Sequence, residues 1–216
     1  MIRTDLSSKL IHLTRTVGDL SAEKRFARIL SEKTLLGSAN DVRGNFNVVA
    51  FTEAPISILA SILANAKILD MRYAPLGFMV DKQWLYERGG RPVIYETHQE
   101  YEDLPDSKKY LHVRYEPHRN ADYSWEREWR IKTDHLKLDP AITTVIVPNR
   151  DWVNKYHEVH TSNLRSLAFL PRVGGHFIYP PEWHFIALDD LGIPFEGMEP
   201  ISFKEFELSV SINPTK

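Results

Sequence analysis

Residues 124–131 read Ser-Trp-Glu-Arg-Glu-Trp-Arg-Ile, and this stretch constrains the fold more than any other. Taken as a β-strand, its period of two sends Glu126, Glu128 and Arg130 to one face and Trp125, Arg127 and Trp129 to the other. Trp125 and Trp129 then pack into apolar surface and fix the strand, so both are expected to be buried. Glu126 and Glu128, with Arg130 beside them, are expected to line a concave surface. Clustered carboxylates repel, and a chain seldom presents them together without a cation, a metal or a substrate in view. The competing account is a solvated strand face whose charges pair with Arg127 and Arg130.

The remaining sequence supplies many short strands and a few helices clustered early, which argues for an α+β domain. Residues 8–14 read as a first strand and 48–51 as a buried one. Asp19 or Ser21 can cap a helix to about Lys33 that places Phe26, Ile29 and Leu30 on one face. Residues 35–43 read as loop with Gly37 among the turn residues, and Pro55 suits the first turn of a helix to about Ala66. Residues 76–80 form a strand, Asp81 caps a short helix, and 92–95 form a strand placed at an edge by its proline. A surface helix or loop over 96–109 and a strand over 111–115 lead into the central stretch. Residues 143–147 carry the strongest β signal, Asn149 or Asp151 caps a helix to about His160, and 167–170, 177–179 and 183–187 read as late strands. One domain over 1–200 is expected, with 201–216 an edge strand or loose tail.

A chain of 216 residues, 43% hydrophobic, has ample material for a buried core. The net charge of −2 sets up no global basic field for nucleic acid. The absence of cysteine excludes disulfides, thiolate metal sites and a cysteine nucleophile. The N-terminus lacks a signal-peptide core and the longest apolar run is too short to span a bilayer, so a cytoplasmic protein without membrane contact is expected.

Three constellations can carry chemistry. His12, Thr14 and Arg15 end the first strand; a histidine, a hydroxyl and an arginine there can bind a ribose and a diphosphate. In Val49-Ala50-Phe51-Thr52-Glu53-Ala54-Pro55, Thr52 or Glu53 caps the following helix, or Thr52 stands at the mouth of a cleft, orienting a catalytic carboxylate. Tyr73 can stack on a planar ring or belong to the core. His157 and His160 sit at helical spacing with no third ligand near in sequence, so no metal site is expected.

His12-Leu13-Thr14, the segment 49–55 and Trp125-Glu126-Arg127-Glu128-Trp129-Arg130, with Pro75-Leu76-Gly77-Phe78 and Arg91-Pro92-Val93-Ile94-Tyr95 between them, resemble the AbiGi-like abortive-infection proteins of phage defence and toxin–antitoxin systems. The resemblance covers roughly residues 8–170, and its most specific part is Glu-x-Glu-Trp-Arg. That family is distantly similar to ADP-ribosyltransferases. The resemblance implies split antiparallel β-sheets around a cleft that binds NAD, bordered by both the first strand and the strand carrying Glu128. Glu128 is then expected to stabilise the oxocarbenium-like ribose and Glu126 to activate the acceptor. His12 and Thr14 would hold the adenosine half and Arg15 the diphosphate. Thr52 would orient Glu128, and Tyr73 would cover the nicotinamide. Arg130 would hold the carboxylates ionised or meet phosphate. The acceptor is open, protein or nucleic acid, and a cognate toxin or antitoxin is an expected partner. Two other classes compete: a non-catalytic nucleotide- or protein-binding module, and a metal-dependent nuclease built on Glu126 and Glu128.

Overall fold

The computed structural model describes residues 6–65, 72–166, 172–173, 176–177, 183–195 and 199–200. In chain order the elements are β1 (Lys9–Arg15), α1 (Ala22–Glu32), β2 (Thr34–Leu36), β3 (Val48–Thr52), α2 (Ile56–Ala64), β4 (Tyr73–Asp81) and α3 (Lys82–Glu87). There follow β5 (Arg91–Pro92), β6 (Ile94–Glu96), β7 (His112–Arg114), β8 (Glu128–Lys132), β9 (His135–Lys137), β10 (Thr144–Val147), α4 (Arg150–Ser166), β11 (Arg172–Val173), β12 (His176–Phe177) and β13 (His184–Ala187). The class is mixed α+β, with mostly antiparallel pairing; β6–β7 and β10–β13 run parallel.

Local chemistry starts the helices. The Ser21 hydroxyl accepts the Lys24 N–H at 3.3 Å, and α1 buries Phe26, Ala27, Ile29 and Leu30 at helical spacing. The Asp81 carboxylate accepts the N–H groups of Gln83 and Trp84 at 2.8 and 3.4 Å, opening α3, and Gly89 follows its end at φ 97°. The Asn149 side-chain oxygen accepts the Trp152 N–H at 3.4 Å, so Asn149 caps α4, which runs past the expected end at His160 to Ser166.

The chain divides into two compact units, each built from three stretches. The first comprises Met1–Leu13, Lys33–Leu59 and Phe78–Leu138; the second comprises Thr14–Glu32, Ala60–Gly77 and Asp139–Lys216. Three of the five boundaries fall inside β1, α2 and β4; the other two follow Glu32 and Leu138.

In the first unit, β1, β3, β8 and β5 are successive neighbours in one sheet. Ile11 stands opposite Thr52, and Thr52, Phe51 and Ala50 stand opposite Glu128, Trp129 and Arg130. Leu10, Val49, Phe51, Phe78, Leu111 and Ile131 are among its buried side chains. Two smaller pairs, β2–β9 and β6–β7, belong to the same unit. In the second unit β10 lies between β13 and β4. Val145, Ile146 and Val147 are buried there, and α1 meets α4 through the rings of Phe26 and Trp152, 5.9 Å apart and nearly perpendicular.

Several expectations are corrected. Residues 34–36 form a strand, with Leu35 fully buried, where a loop is read from the sequence. Gly37 serves close packing: its N–H donates to the Asp134 carbonyl at 2.8 Å, and a Cβ there would collide with the Thr133 carbonyl. The strand expected at 92–95 breaks into β5 and β6, because the Val93 N–H turns to the Glu128 carbonyl at 3.0 Å. Residues 73–75, read as loop, already belong to β4. The strand expected over 167–170 and the tail 201–216 lie outside the described residues. Among the described residues no helix is long and apolar enough to cross a membrane.

Candidate functional site

The central stretch is not one strand. Ser124–Glu126 forms a 3₁₀ turn, opened by the Asp122 carboxylate, which accepts the Ser124 N–H at 2.9 Å and the Ser124 hydroxyl at 2.6 Å. Those bonds hold the Asp122 carboxyl below its ordinary value, the Ser124 hydroxyl contributing most. Arg127 then takes the left-handed conformation, φ 44° and ψ 50°, and β8 starts only at Glu128. This corner breaks the expected alternation. Trp129 is buried at 9% exposure as its strand position requires, whereas Trp125, ahead of the corner, is 38% exposed, against expectation.

A left-handed arginine costs about 1–2 kcal/mol, so its surroundings must hold it. The Thr52 hydroxyl donates to the Glu126 carbonyl at 2.5 Å, and the Glu53 N–H donates to the Arg127 carbonyl at 3.2 Å. The Glu128 N–H donates to the Tyr95 phenol oxygen at 3.3 Å. The Thr52 hydroxyl also accepts the Ala54 N–H at 3.1 Å. Thr52 therefore acts on the backbone of the corner, and the expectation that its hydroxyl orients the Glu128 carboxylate is corrected.

Glu128 and Arg130 do share a face, two residues apart on β8, and they form a fork. Arg130 Nε reaches one carboxylate oxygen at 2.7 Å and Nη2 the other at 3.1 Å. Arg130 Nη1 donates to the carbonyls of Tyr110 and His112, each at 3.0 Å. The side chains are 7% and 13% exposed, so Glu128 pairs with Arg130 as the competing account expects, but in a largely buried place and not on a solvated face. The Arg130 bonds go to protein oxygens, those of Glu128, Tyr110 and His112.

The Tyr95 phenol completes the corner. It donates to the Tyr123 carbonyl at 3.4 Å while accepting from Glu128. Burial pushes its pKa up, and the charges of Glu128 and Glu126 push it further, with the Glu128 N–H and Arg130 opposing. It is a protonated donor at neutral pH. Sequence reasoning placed Tyr95 in a strand and gave it no role. No local signal marks it, because β7 pairing with β6 and the folding back of Tyr123 bring the phenol here.

His12 belongs to the same unit but to the opposite face of its sheet. Pairing of Ile11 with Thr52 and of Thr52 with Glu128 puts those three side chains on one face; strand alternation puts His12 on the other, with Phe51 and Trp129. The His12 ring stands edge-on to Phe51, 5.8 Å between centroids, and its Nδ1–H donates to the Ala50 carbonyl at 2.8 Å. The expectation that His12 and Glu128 border one cleft is corrected by this register. Glu53, assigned at most a cap, lies on the His12 face as well. Its carboxylate accepts Lys82 Nζ at 2.6 Å and Trp129 Nε1 at 2.8 Å.

Thr14, Arg15 and Tyr73 belong to the second unit. Thr14 is buried and its hydroxyl donates to the Leu76 carbonyl at 3.0 Å, an internal bond rather than the expected contact to adenosine. Arg15 ends β1; burial first, then the Arg15 charge, lower the pKa of Arg25. Tyr73 opens β4, half-buried. Of the sequence-predicted residues, the corner thus unites Thr52, Glu126, Glu128 and Arg130.

Among the described residues no group of three or more histidines, aspartates and glutamates is placed to hold a metal ion. Compared with known proteins, the chain matches no protein family, no curated protein and no solved structure.

Proposed function

We propose that the chain is an ADP-ribosyltransferase-like domain of a phage-defence or toxin–antitoxin system that cleaves the nicotinamide–ribose bond of NAD and passes ADP-ribose to an acceptor. The observation that carries the chemistry is the Glu126–Arg127–Glu128 corner: a strained turn, clamped from three sides, with two carboxylates and a phenol around it. The proposal rests on first-unit residues alone, and His12 is left out of it.

In the reaction the C1′–N bond breaks and its electron pair leaves with nicotinamide. Positive charge develops on the ribose, and an acceptor oxygen or nitrogen closes the new bond, passing its proton to solvent water. Glu128 is matched bidentately by Arg130, so that pair is fixed in place and presents little net charge. Glu128 is therefore assigned to fixing the corner, and Glu126, the second carboxylate of the stretch, to the ribose. This departs from the roles expected from the resemblance. Glu126→Gln lowers nicotinamide release on the order of a hundredfold with NAD binding retained. Glu128→Gln lowers the melting temperature and affects release only as far as the corner is disturbed. The two rates, with a thermal shift for NAD, test the assignment; full release by Glu126→Gln would sink it.

A second reading, a non-catalytic nucleotide- or protein-binding module, draws support from the fork itself, since Glu128 is committed to Arg130, and from His12 standing on the other face. Stabilisation by NAD without nicotinamide release in the unaltered chain favours it. The metal-dependent nuclease has no ligand set among the described residues.

A further inference from the structure

We propose that Glu53 is the positioning residue of the Arg127 corner and holds it from the opposite face of the sheet. Its effect on turnover rests on the transferase reading; its hold on the corner does not.

Glu53 is the first residue after β3, and it grips the chain on both sides of Glu128. Its N–H donates to the Arg127 carbonyl at 3.2 Å, and its carboxylate accepts Trp129 Nε1 at 2.8 Å. Thr52, one residue earlier, takes the Glu126 carbonyl at 2.5 Å, so two successive residues hold two successive carbonyls of the corner. A main-chain N–H points only where its residue is fixed. The pairing of β3 with β8 ends at Thr52 and Glu128, so beyond it the Glu53 side chain does the fixing.

That side chain is held at both oxygens. Lys82 Nζ donates to one at 2.6 Å and the indole to the other, and the side chain is only 12% exposed. A carboxylate taken this far out of water is costly unless it is bonded throughout, and here it is. Lys82 is held in turn. It opens α3, its N–H donates to the Ser8 carbonyl at 2.9 Å, and Asp81 before it caps the helix and pairs with Lys9 at 3.4 Å. The brace therefore runs from α3 through Glu53 to Trp129, a buried ring one residue past Glu128. Misplacing a reacting group by about 1 Å costs about a hundredfold in rate, which is why the place of the corner matters to Glu126.

The test uses the full chain. Amide exchange read by mass spectrometry separates residues 124–128 from β10 in the second unit. Glu53→Ala is expected to speed exchange at the corner about tenfold, the worth of one hydrogen bond to a charged group, with β10 unchanged. Trp129→Phe keeps a ring and removes the donor; it is expected to do the same, and it stands in if Glu53→Ala does not fold. Glu53→Gln keeps an oxygen for the indole and is expected to restore most of the protection. With ¹⁵N-labelled tryptophan, the indole resonance that Trp129→Phe removes is expected to move upfield in Glu53→Ala. Faster exchange everywhere at once, an unmoved corner in either variant, or an unmoved indole resonance would overturn the proposal. Nicotinamide release is measured in the same preparations, and kcat is expected to fall at least about tenfold in Glu53→Ala with KM for NAD unchanged. A loosened corner with kcat unchanged overturns the effect on turnover and keeps the hold. No release by the unaltered chain removes the transferase reading, and the exchange result still decides the hold.

Discussion

Arg130 carries a permanent positive charge in a nearly dry place, and its donors go to two main-chain carbonyls and one carboxylate. Such a pair costs desolvation on both sides and becomes favourable only because each group is satisfied. Removing one partner is therefore worse than removing both. Arg130→Met leaves Glu128 and the carbonyls of Tyr110 and His112 without their donor, and the expected loss is about 3–5 kcal/mol in urea denaturation. Adding Glu128→Leu to Arg130→Met recovers part of that loss. A double variant no more stable than the single one would mean that the guanidinium acts mainly through the carbonyls.

At the scale of elements, the turn joining β7 to β8 depends on a buried acid. Hydrogen bonding from Arg114 holds the Glu116 carboxyl below its ordinary value of 4.5, with burial opposing and Arg119 and a His98 backbone bond adding. The sign follows from linkage: a carboxyl with a depressed folded-state pKa adds stability above its unfolded value, and that contribution is lost as pH falls through the folded one. Glu116→Gln should melt below the unaltered chain at neutral pH, with the gap closing as pH falls below about 4.5. Melting temperatures of both chains across that range check it. A gap independent of pH would assign the loss to shape rather than charge.

At the scale of the whole molecule, neither unit is a continuous piece of chain. Each takes three segments, and three of the five boundaries fall inside an element: between Leu13 and Thr14 in β1, between Leu59 and Ala60 in α2, and between Gly77 and Phe78 in β4. No single cut separates the units, and unfolding either one pulls on strands that also serve the other. One cooperative transition is expected, coincident by tryptophan fluorescence and far-ultraviolet circular dichroism. Two resolved transitions would show that the units fold independently despite the shared strands.

The helices were legible from sequence because their signals are local. Ser21, Asp81 and Asn149 each cap within three residues, and the burial of Phe26, Ile29 and Leu30 follows from helical spacing alone. The mixed α+β class and the pairing of like faces on β8, Glu128 with Arg130, were also set by the chain's own alternation. Tertiary structure decided where that alternation begins. The corner at Arg127 exists because Thr52, far away in sequence, binds the Glu126 carbonyl, and because Tyr95 receives the Glu128 N–H. It turned Trp125 out to solvent while leaving Trp129 in the core. Register decided the rest: His12 and Glu128 both look like site residues on their own strands, but which sheet face each one joins depends on how Ile11, Thr52 and Glu128 line up across three strands. A one-residue shift would reverse it, and no stretch of sequence read by itself contains that alignment.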